Sequence, residues 1–200
     1  MSELEILHNQ IQTCTLCKLH TGRTNAVPGE GPAHADIMFI GEGPGFHEDK
    51  QGRPFVGAAG RFLEELLESI GFKREQVFIT NVVKCRPPAN RDPETDEIEA
   101  CRGYLDQQIE LIQPKMVVTL GRFSMARYFT NAKISQIHGK PKKMDGVIYY
   151  PMYHPAAALH QPSLRRTVQE DMGRIPQLLA DIDRLVEEEP PENVEQLSLF

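Results

Sequence analysis

The sequence lacks three features that would each point to a broad class of protein. None of its 200 residues belongs to an apolar run approaching the ~18 residues of a membrane-spanning helix, so no membrane partner is expected. The first ten residues have neither the basic nor the apolar segment of a secretory signal peptide, which favours a cytoplasmic protein. Positive charge is not in excess, since 22 basic and 28 acidic residues give a net charge of −6. Taken alone, that charge disfavours a protein that wraps the phosphate backbone of nucleic acid.

The net charge lies at one end of the chain. Residues 181–200 contain seven acidic side chains and one basic side chain, which account for the whole charge of −6. Residues 1–180 are therefore neutral overall, and their local basic clusters keep nucleic-acid binding open. The stretch EEEPPENVE in the acidic segment is typical of a disordered linker. We predict one domain over residues 1–186 and a disordered acidic tail over residues 187–200.

Short apolar runs alternate with helical patterns along the chain, which predicts an α/β fold. Strands are expected at 36–40, 77–83, 116–120 and 147–150, a long loop at 41–60, and helices at 2–12, 61–70, 93–112, 121–129 and 163–186, the last bent at Pro176. This order predicts a three-layer α/β/α domain around a central, mainly parallel sheet of four strands. Ligands bind beyond the carboxyl ends of the strands in such sheets, so the polar segments after the first, second and fourth strands should converge on one site.

Four cysteines have a spacing that suits metal binding. Cys14 and Cys17 form a C-x2-C pair, Cys85 follows the second predicted strand, and Cys101 lies in the helix after it. Disulfides are not expected in a cytoplasmic protein. The spacing leaves three alternatives open: four unrelated buried thiols, a structural zinc site, or an iron–sulfur cluster held by four thiolates.

The loop after the first predicted strand is rich in glycine. Gly41, Gly43 and Gly45 partly match the fingerprint of a dinucleotide-binding turn. However, Phe46 stands where the third glycine of that turn should be, and Pro44 removes a backbone N–H from it. These residues disfavour a nucleotide-cofactor enzyme and better suit a pocket in which the backbone approaches a flat ligand.

Three motifs and the cysteines carry a resemblance to a known family. The motifs are GEGPG at 41–45 with Glu48-Asp49 and GRPFVG at 52–57, NVVKCRPP at 81–88 with Asn90-Arg91 and Pro93, and HPA at 154–156. Together with the cysteine spacing, they resemble the family 4 uracil-DNA glycosylases over roughly residues 5–180. Gly43 is a departure, because many members have alanine there. Glu42, and the lack of a basic insertion containing histidine, favour family 4 over family 5 and over the covalently trapping relatives.

The resemblance implies a monofunctional DNA repair hydrolase that flips uracil out of DNA and breaks its N-glycosidic bond. The implied catalytic residues are Glu42, Asn81 and His154. Phe55 would stack on the uracil ring. The Asn81 amide would accept from uracil N3–H and donate to O4, a pattern that cytosine does not match. His154 would donate to O2 of the departing uracil anion.

The resemblance also implies roles for the remaining pocket residues. Glu42 would contact the attacking water or line the pocket. Gly43 takes the position where other uracil-glycosylase families place a catalytic aspartate, so this reaction would depend more on stabilising the leaving group. Glu48 would fill the space beside Gly45 and exclude the methyl group of thymine.

A metal centre and contacts with DNA follow from the same resemblance. Lys84, Arg86 and Arg91 would contact phosphates, and Leu159 would enter the duplex as a wedge, with a core leucine as the alternative. The cofactor implied is a 4Fe–4S cluster, with zinc as the alternative, on the ligands Cys14, Cys17, Cys85 and Cys101.

The chain ends in a short apolar peptide after the acidic linker. This peptide resembles the segment by which bacterial replication and repair proteins bind the sliding clamp, through Gln196, Leu197, Leu199 and Phe200. We therefore expect a bacterial, nucleoid-associated monomer that acts on single- or double-stranded DNA containing uracil. The alternative function is a non-catalytic iron–sulfur protein that binds DNA or acts as a clamp adaptor.

Overall fold

The computed structural model of the chain describes residues 2–185, and five strands within them form one sheet. The strands are β1 (Ile37–Gly41), β2 (Phe78–Asn81), β3 (Met116–Leu120), β4 (Lys142–Met144) and β5 (Val147–Met152). They lie in the order β2-β1-β3-β5-β4, and all neighbours are parallel except β4 and β5. The predicted α/β class and mainly parallel sheet are confirmed.

The predicted number of strands is one too low, because β4 was not expected. Asp145 and Gly146 have φ values of 50° and 77° and form a tight turn between β4 and β5. An Asp-Gly pair is a strong hairpin signal. The strand before it has only three residues, two of them lysine, as is common for an edge strand. It therefore carries too little apolar patterning to be recognised.

Helices cover both faces of the sheet. The α-helices of the described chain are α1 (Glu3–Thr13), α2 (Phe46–Gln51), α3 (Ala58–Ser69), α4 (Thr95–Ile112), α5 (Arg122–Ala126), α6 (Ile134–Ile137), α7 (Pro155–His160), α8 (Ser163–Gly173) and α9 (Ile175–Ala180). Short 3-10 turns lie at Lys18–Thr21, Arg74–Gln76, Pro88–Asn90 and Ile182–Arg184. The expected loop at 41–60 therefore contains α2, and the expected last helix breaks before Pro176, which lies in the first turn of α9. No helix within residues 2–185 is long and apolar enough to cross a membrane.

The side chains of alternate strand residues pack into two apolar cores, one on each face of the sheet. In β1, Ile37 and Phe39 pack with α3, α7, α8 and α9, whereas Met38 and Ile40 pack with α1 and α4. This alternation follows from the two-residue repeat of a strand, and both faces are apolar because helices cover both. The sheet is thus the middle of three layers, and its carboxyl edge remains free for a site.

The start of α4 differs from the predicted one and affects the site. The helix was expected from residue 93, but it begins at Thr95. The backbone N–H of Glu94 donates to the Glu97 carboxylate at 2.8 Å, while Asp92 pairs with Arg122. The loop before α4 is therefore held by the Arg122–Asp92 ion pair and by the bond from Glu94 to Glu97.

Candidate active site

A cavity of about 570 Å³ opens at the carboxyl ends of β1, β2 and β5. Its lining includes residues from each of the three segments expected to converge: Glu42, Gly43, Glu48, Phe55, Asn81, Asn90, Arg91 and His154. The parallel strands bring these side chains together because their carboxyl ends share one edge of the sheet.

Asn81 lines this cavity and carries a buried side-chain acceptor without a partner in the described part of the chain. It is the last residue of β2 and is only 1% exposed. Within the described residues, no group donates a hydrogen bond to its Oδ1. A Cβ atom on Gly41 would lie 2.4 Å from that oxygen, so glycine leaves the amide its space. Since buried acceptors in proteins are normally paired, Asn81 is poised to accept from an N–H of a ligand.

Phe55 supplies an aromatic surface in a fixed position. Its backbone has a φ of 50°, and its ring lies against the His154 ring with centroids 5.5 Å apart and planes at 25°. Arg74 donates to the Phe55 carbonyl at 2.9 Å and also to the carbonyl of Pro54. A Cβ atom on Gly60 would lie 1.9 Å from the Phe55 oxygen, so only glycine fits there. Arg74 and Gly60 therefore stabilise the left-handed backbone conformation of Phe55. The sequence alone did not reveal this conformation.

His154 lies just beyond β5 and begins α7. Its Nδ1 accepts the backbone N–H of Ala156 at 3.1 Å, which assigns the ring proton to Nε2. Burial lowers the pKa of His154 to about 4, against an opposing effect of the Glu48 carboxylate. The imidazole is therefore neutral at neutral pH and offers one donor, Nε2–H.

Glu48 joins two parts of the loop that surrounds the cavity. Its Oε1 accepts the backbone N–H groups of Val56 and Gly57, each at 2.9 Å. A Cβ atom on Gly45 would lie 2.8 Å from its Oε2. The carboxylate thus fixes the start of α3 and occupies the space beside Gly45.

Glu42 and Gly43 follow β1 at the edge of the cavity. Burial raises the pKa of the half-buried Glu42, and the nearby Asp92 adds to this, while Arg122 opposes it. A Cβ atom on Gly43 would lie 2.7 Å from a methyl carbon of Val83, so alanine there needs a shift of the valine. Position 43 therefore has no room for a longer acid unless its surroundings move.

The predicted contact between Lys84 and DNA phosphates is wrong. Lys84 is 1% exposed, so its ammonium cannot reach the surface. Its Nζ donates to Thr80 Oγ1 at 2.6 Å, to the Asn81 carbonyl at 2.8 Å and to Gln108 Oε1 at 2.6 Å. Burial lowers the pKa of Lys84 to about 7. The lysine fixes the backbone of Asn81 from inside the domain.

The other predicted DNA contacts lie at the surface. Arg91 forms a paired ion bridge with the buried Glu97, at 2.7 and 2.8 Å, so much of its charge is neutralised within the protein. Arg86 donates to Asn90 Oδ1 at 2.7 Å near the mouth of the cavity. Leu159 is 40% exposed, which excludes the alternative of a core leucine.

The four cysteines line a second, smaller cavity. Cys85 and Cys101 are buried, and burial raises the pKa of Cys101 to about 11. Arg23 donates to the Cys85 sulfur at 3.0 Å, and the Lys84 backbone N–H approaches the Cys101 sulfur at 3.4 Å. Within residues 2–185, no three side chains of the metal-ligating types are grouped closely enough to hold a single ion. The expected tail at 187–200, with its clamp-binding residues, lies outside the described residues.

Comparison with known proteins agrees with this arrangement. The sequence profile of the uracil DNA glycosylase superfamily matches residues 28–173, which defines the class of the α/β/α domain. The type-4 uracil-DNA glycosylase of Sulfurisphaera tokodaii is 52% identical over 188 residues, which is 89% of this chain and 86% of the relative. The type-4 enzymes of Saccharolobus solfataricus and Archaeoglobus fulgidus are 47% and 45% identical, over 90% and 89% of this chain and 88% and 94% of the relatives. The chain belongs to the type-4 uracil-DNA glycosylase family.

Proposed function

We propose that this protein removes uracil from DNA by hydrolysing its N-glycosidic bond, which leaves an abasic site. The observation that carries the proposal is the unpaired Oδ1 of Asn81, buried in a cavity that also contains a stacking ring and a neutral histidine. This set matches the edge of uracil, which presents a donor at N3 and an acceptor at O4. The base must leave the helix to reach the cavity, so the enzyme flips it.

Recognition of uracil depends on the Asn81 amide. Its Oδ1 accepts from N3–H, and its Nδ2 donates to O4. Cytosine has an acceptor at N3 and a donor at position 4, so a fixed amide opposes both groups. The lysine that binds the Asn81 carbonyl prevents the strand end from shifting to accommodate cytosine.

The reaction depends on stabilising the leaving group. As the bond between C1′ and N1 breaks, its electron pair moves onto the uracil ring, and negative charge develops at O2. The Nε2–H of His154 donates to that oxygen, and the backbone bond from Ala156 keeps the ring correctly oriented. Water adds to C1′ and gives up its proton, and uracil leaves after gaining one at N1. Glu42, at the cavity edge, orients this water, while Gly43 supplies no acid.

Exclusion of thymine is assigned to Glu48. Its carboxylate occupies the space beside Gly45, and two backbone N–H groups hold it there. The methyl group of thymine would have to displace an anchored side chain, which would leave two backbone N–H groups without their acceptor.

Contact with DNA is assigned to the surface around the cavity. Arg86 contacts phosphate, Arg91 shapes the loop through Glu97 and offers its remaining N–H groups, and Leu159 fills the gap left by the flipped base. This surface suits single-stranded or duplex substrates, since the cavity itself binds one extruded nucleotide.

The four cysteines of the second cavity are proposed to hold a 4Fe–4S cluster, with zinc as the alternative. The four thiols surround one space, and four thiolates are the ligand set of such a cluster. Donors such as Arg23 also lie against the sulfurs, as they do around iron–sulfur clusters. The cluster would tie Cys14 and Cys17 to the loop that carries Arg86. A broad absorbance near ~400 nm, lost in Cys101→Ser, supports the cluster, and a colourless protein that contains zinc contradicts it.

The C-terminal peptide is proposed to bind a bacterial sliding clamp through residues 196–200. The acidic linker would keep clear of DNA phosphates, which would let a monomeric domain over residues 1–186 work beside the clamp on the nucleoid. Deleting residues 196–200 should abolish clamp binding and leave excision from short oligonucleotides unchanged. Ser198→Ala is the matched control, since it leaves the apolar anchors in place. Loss of both activities would contradict a separable tether.

The function is tested by incubating the protein with single-stranded and duplex DNA that contains one uracil, followed by alkali. Strand cleavage at the uracil is the expected result. DNA binding without cleavage in both substrates would support the non-catalytic adaptor instead.

A further inference from the structure

Phe46 is an exposed aromatic residue at the mouth of the active-site cavity. It is 48% exposed, whereas the neighbouring Phe55 is 5% exposed. Phe46 lines the same cavity as Asn81, but neither apolar core of the described residues includes it. Packing in the domain therefore does not account for the ring, and it adjoins the space where the extruded base enters.

Two cations lie over the Phe46 ring, at cation–π distances. The Arg86 guanidinium is 5.2 Å from the ring centroid, and the Lys50 ammonium is 5.8 Å from it. The bond from Arg86 to Asn90 keeps the guanidinium in place. His47 packs edge-on against the same ring, with centroids 5.5 Å apart. An exposed ring with adjacent positive charges is the arrangement by which proteins bind single-stranded nucleic acid, with bases on the ring and phosphates on the cations.

We propose that Phe46 stacks on the base adjacent to the flipped uracil, with Arg86 and Lys50 binding the phosphates on either side of that base. The proposal rests on the uracil-DNA glycosylase function and extends it to a second nucleotide. Extrusion of the uracil leaves its neighbour without a stacking partner on one face. The ring at the cavity mouth replaces that partner, and the charge beside it matches the charge of the backbone.

The subsite has a distinct kinetic signature. Stacking on the neighbouring base strengthens substrate binding but does not touch the bond that breaks, so its loss raises KM and leaves kcat little changed. Phe46→Ala should raise KM about tenfold on single-stranded DNA. The effect should be smaller on duplex DNA, where pairing with the opposite strand already holds the neighbouring base.

The test pairs a change in the protein with a change in the DNA. Wild type, Phe46→Ala and Phe46→Tyr are assayed on single-stranded oligonucleotides that carry one uracil. In matched substrates, the base on the 5′ or the 3′ side of the uracil is replaced by a stable abasic residue. Ile6→Ala is the control, because Ile6 has similar exposure, at 42%, and does not line the cavity.

The expected result is that removing one of the two flanking bases raises KM about tenfold for wild type and Phe46→Tyr, and not for Phe46→Ala. The Ile6→Ala control should behave as wild type. If Phe46→Ala raises KM by the same factor on the intact substrate and on both abasic substrates, or does not raise it, the proposal is overturned. Failure of the proposed function looks different, since wild type would then excise uracil from none of the substrates.

Discussion

The Nδ1 atom of His154 accepts the backbone N–H of Ala156 at 3.1 Å, at the first turn of α7. A protonated imidazole could not accept this bond, so the contact and the burial of the ring both favour the neutral form. The start of a helix sets the tautomer, which places the ring proton on Nε2 of a histidine that lines the cavity. In the proposed mechanism, His154 therefore acts as a hydrogen-bond donor to uracil rather than as a proton donor.

The first prediction concerns pH. Because the pKa of His154 is lowered to about 4 from 6.5, the rate of the chemical step should not depend on His154 between about pH 8 and about pH 5, and should fall only as pH approaches 4. Between the two pKa values the unfolded state binds more protons, so the stability contribution of His154 is lost as pH falls through that window. Single-turnover rates and urea unfolding check both effects, with His154→Gln as the reference. A rate that rises as the pH falls through 6.5 would indicate a protonated histidine and contradict the mechanism.

The second prediction concerns base recognition. Asn81→Asp removes the donor to O4 and places a carboxylate in the cavity, so uracil excision should fall by about 10²- to 10⁴-fold and discrimination against cytosine should weaken. Asn131→Asp, in an exposed loop, makes the same chemical change outside the site. Excision rates on matched uracil and cytosine substrates measure the ratio. Unchanged discrimination in Asn81→Asp would mean that another group reads the base.

The third prediction concerns thymine. Glu48→Ala opens the space beside Gly45 and leaves the N–H groups of Val56 and Gly57 without their acceptor. The variant should lose about 1–3 kcal/mol of stability and should begin to excise thymine from a G·T mismatch. Glu48→Gln, which keeps the volume and one acceptor, should still exclude thymine. If Glu48→Ala excludes thymine as strongly as wild type does, the steric role is wrong.

The fourth prediction separates two neighbouring cations. Arg86→Ala should reduce the slope of log K for DNA binding against log salt concentration by about one, because a phosphate contact is lost. Lys84→Met should leave that slope unchanged and lower the free energy of unfolding by about 1–3 kcal/mol, because three buried acceptors lose their donor. Salt titrations of binding and urea unfolding make the comparison. A smaller slope in Lys84→Met would show that the lysine reaches DNA after all.

The sequence predicted the parts of the site that depend on local patterns. Apolar runs marked the strands, and the parallel sheet then brought Glu42, Asn81 and His154 to one edge. The burial of Lys84 could not be predicted, since a lysine beside two arginines has the pattern of a basic surface. Its environment is set by Gln108, which comes from a distant helix.

Other supporting contacts were missed for the same reason. Arg74 reaches the Phe55 carbonyl from a 3-10 turn nineteen residues away, and the left-handed backbone of a phenylalanine has no signature in composition. The ion pair of Arg91 with Glu97 likewise appears only after α4 is in place. Such contacts form only in the tertiary structure, whereas the residues that line the pocket lie in short sequence motifs.

The most direct test of the account compares wild type with His154→Ala on DNA that carries a single uracil, with alkali cleavage as the readout. The exposed His160→Ala serves as the control for a histidine change. We expect cleavage at uracil by wild type and by His160→Ala, and a rate lower by about 10²- to 10³-fold in folded His154→Ala. No cleavage by wild type, or near-wild-type rates in His154→Ala, would contradict it.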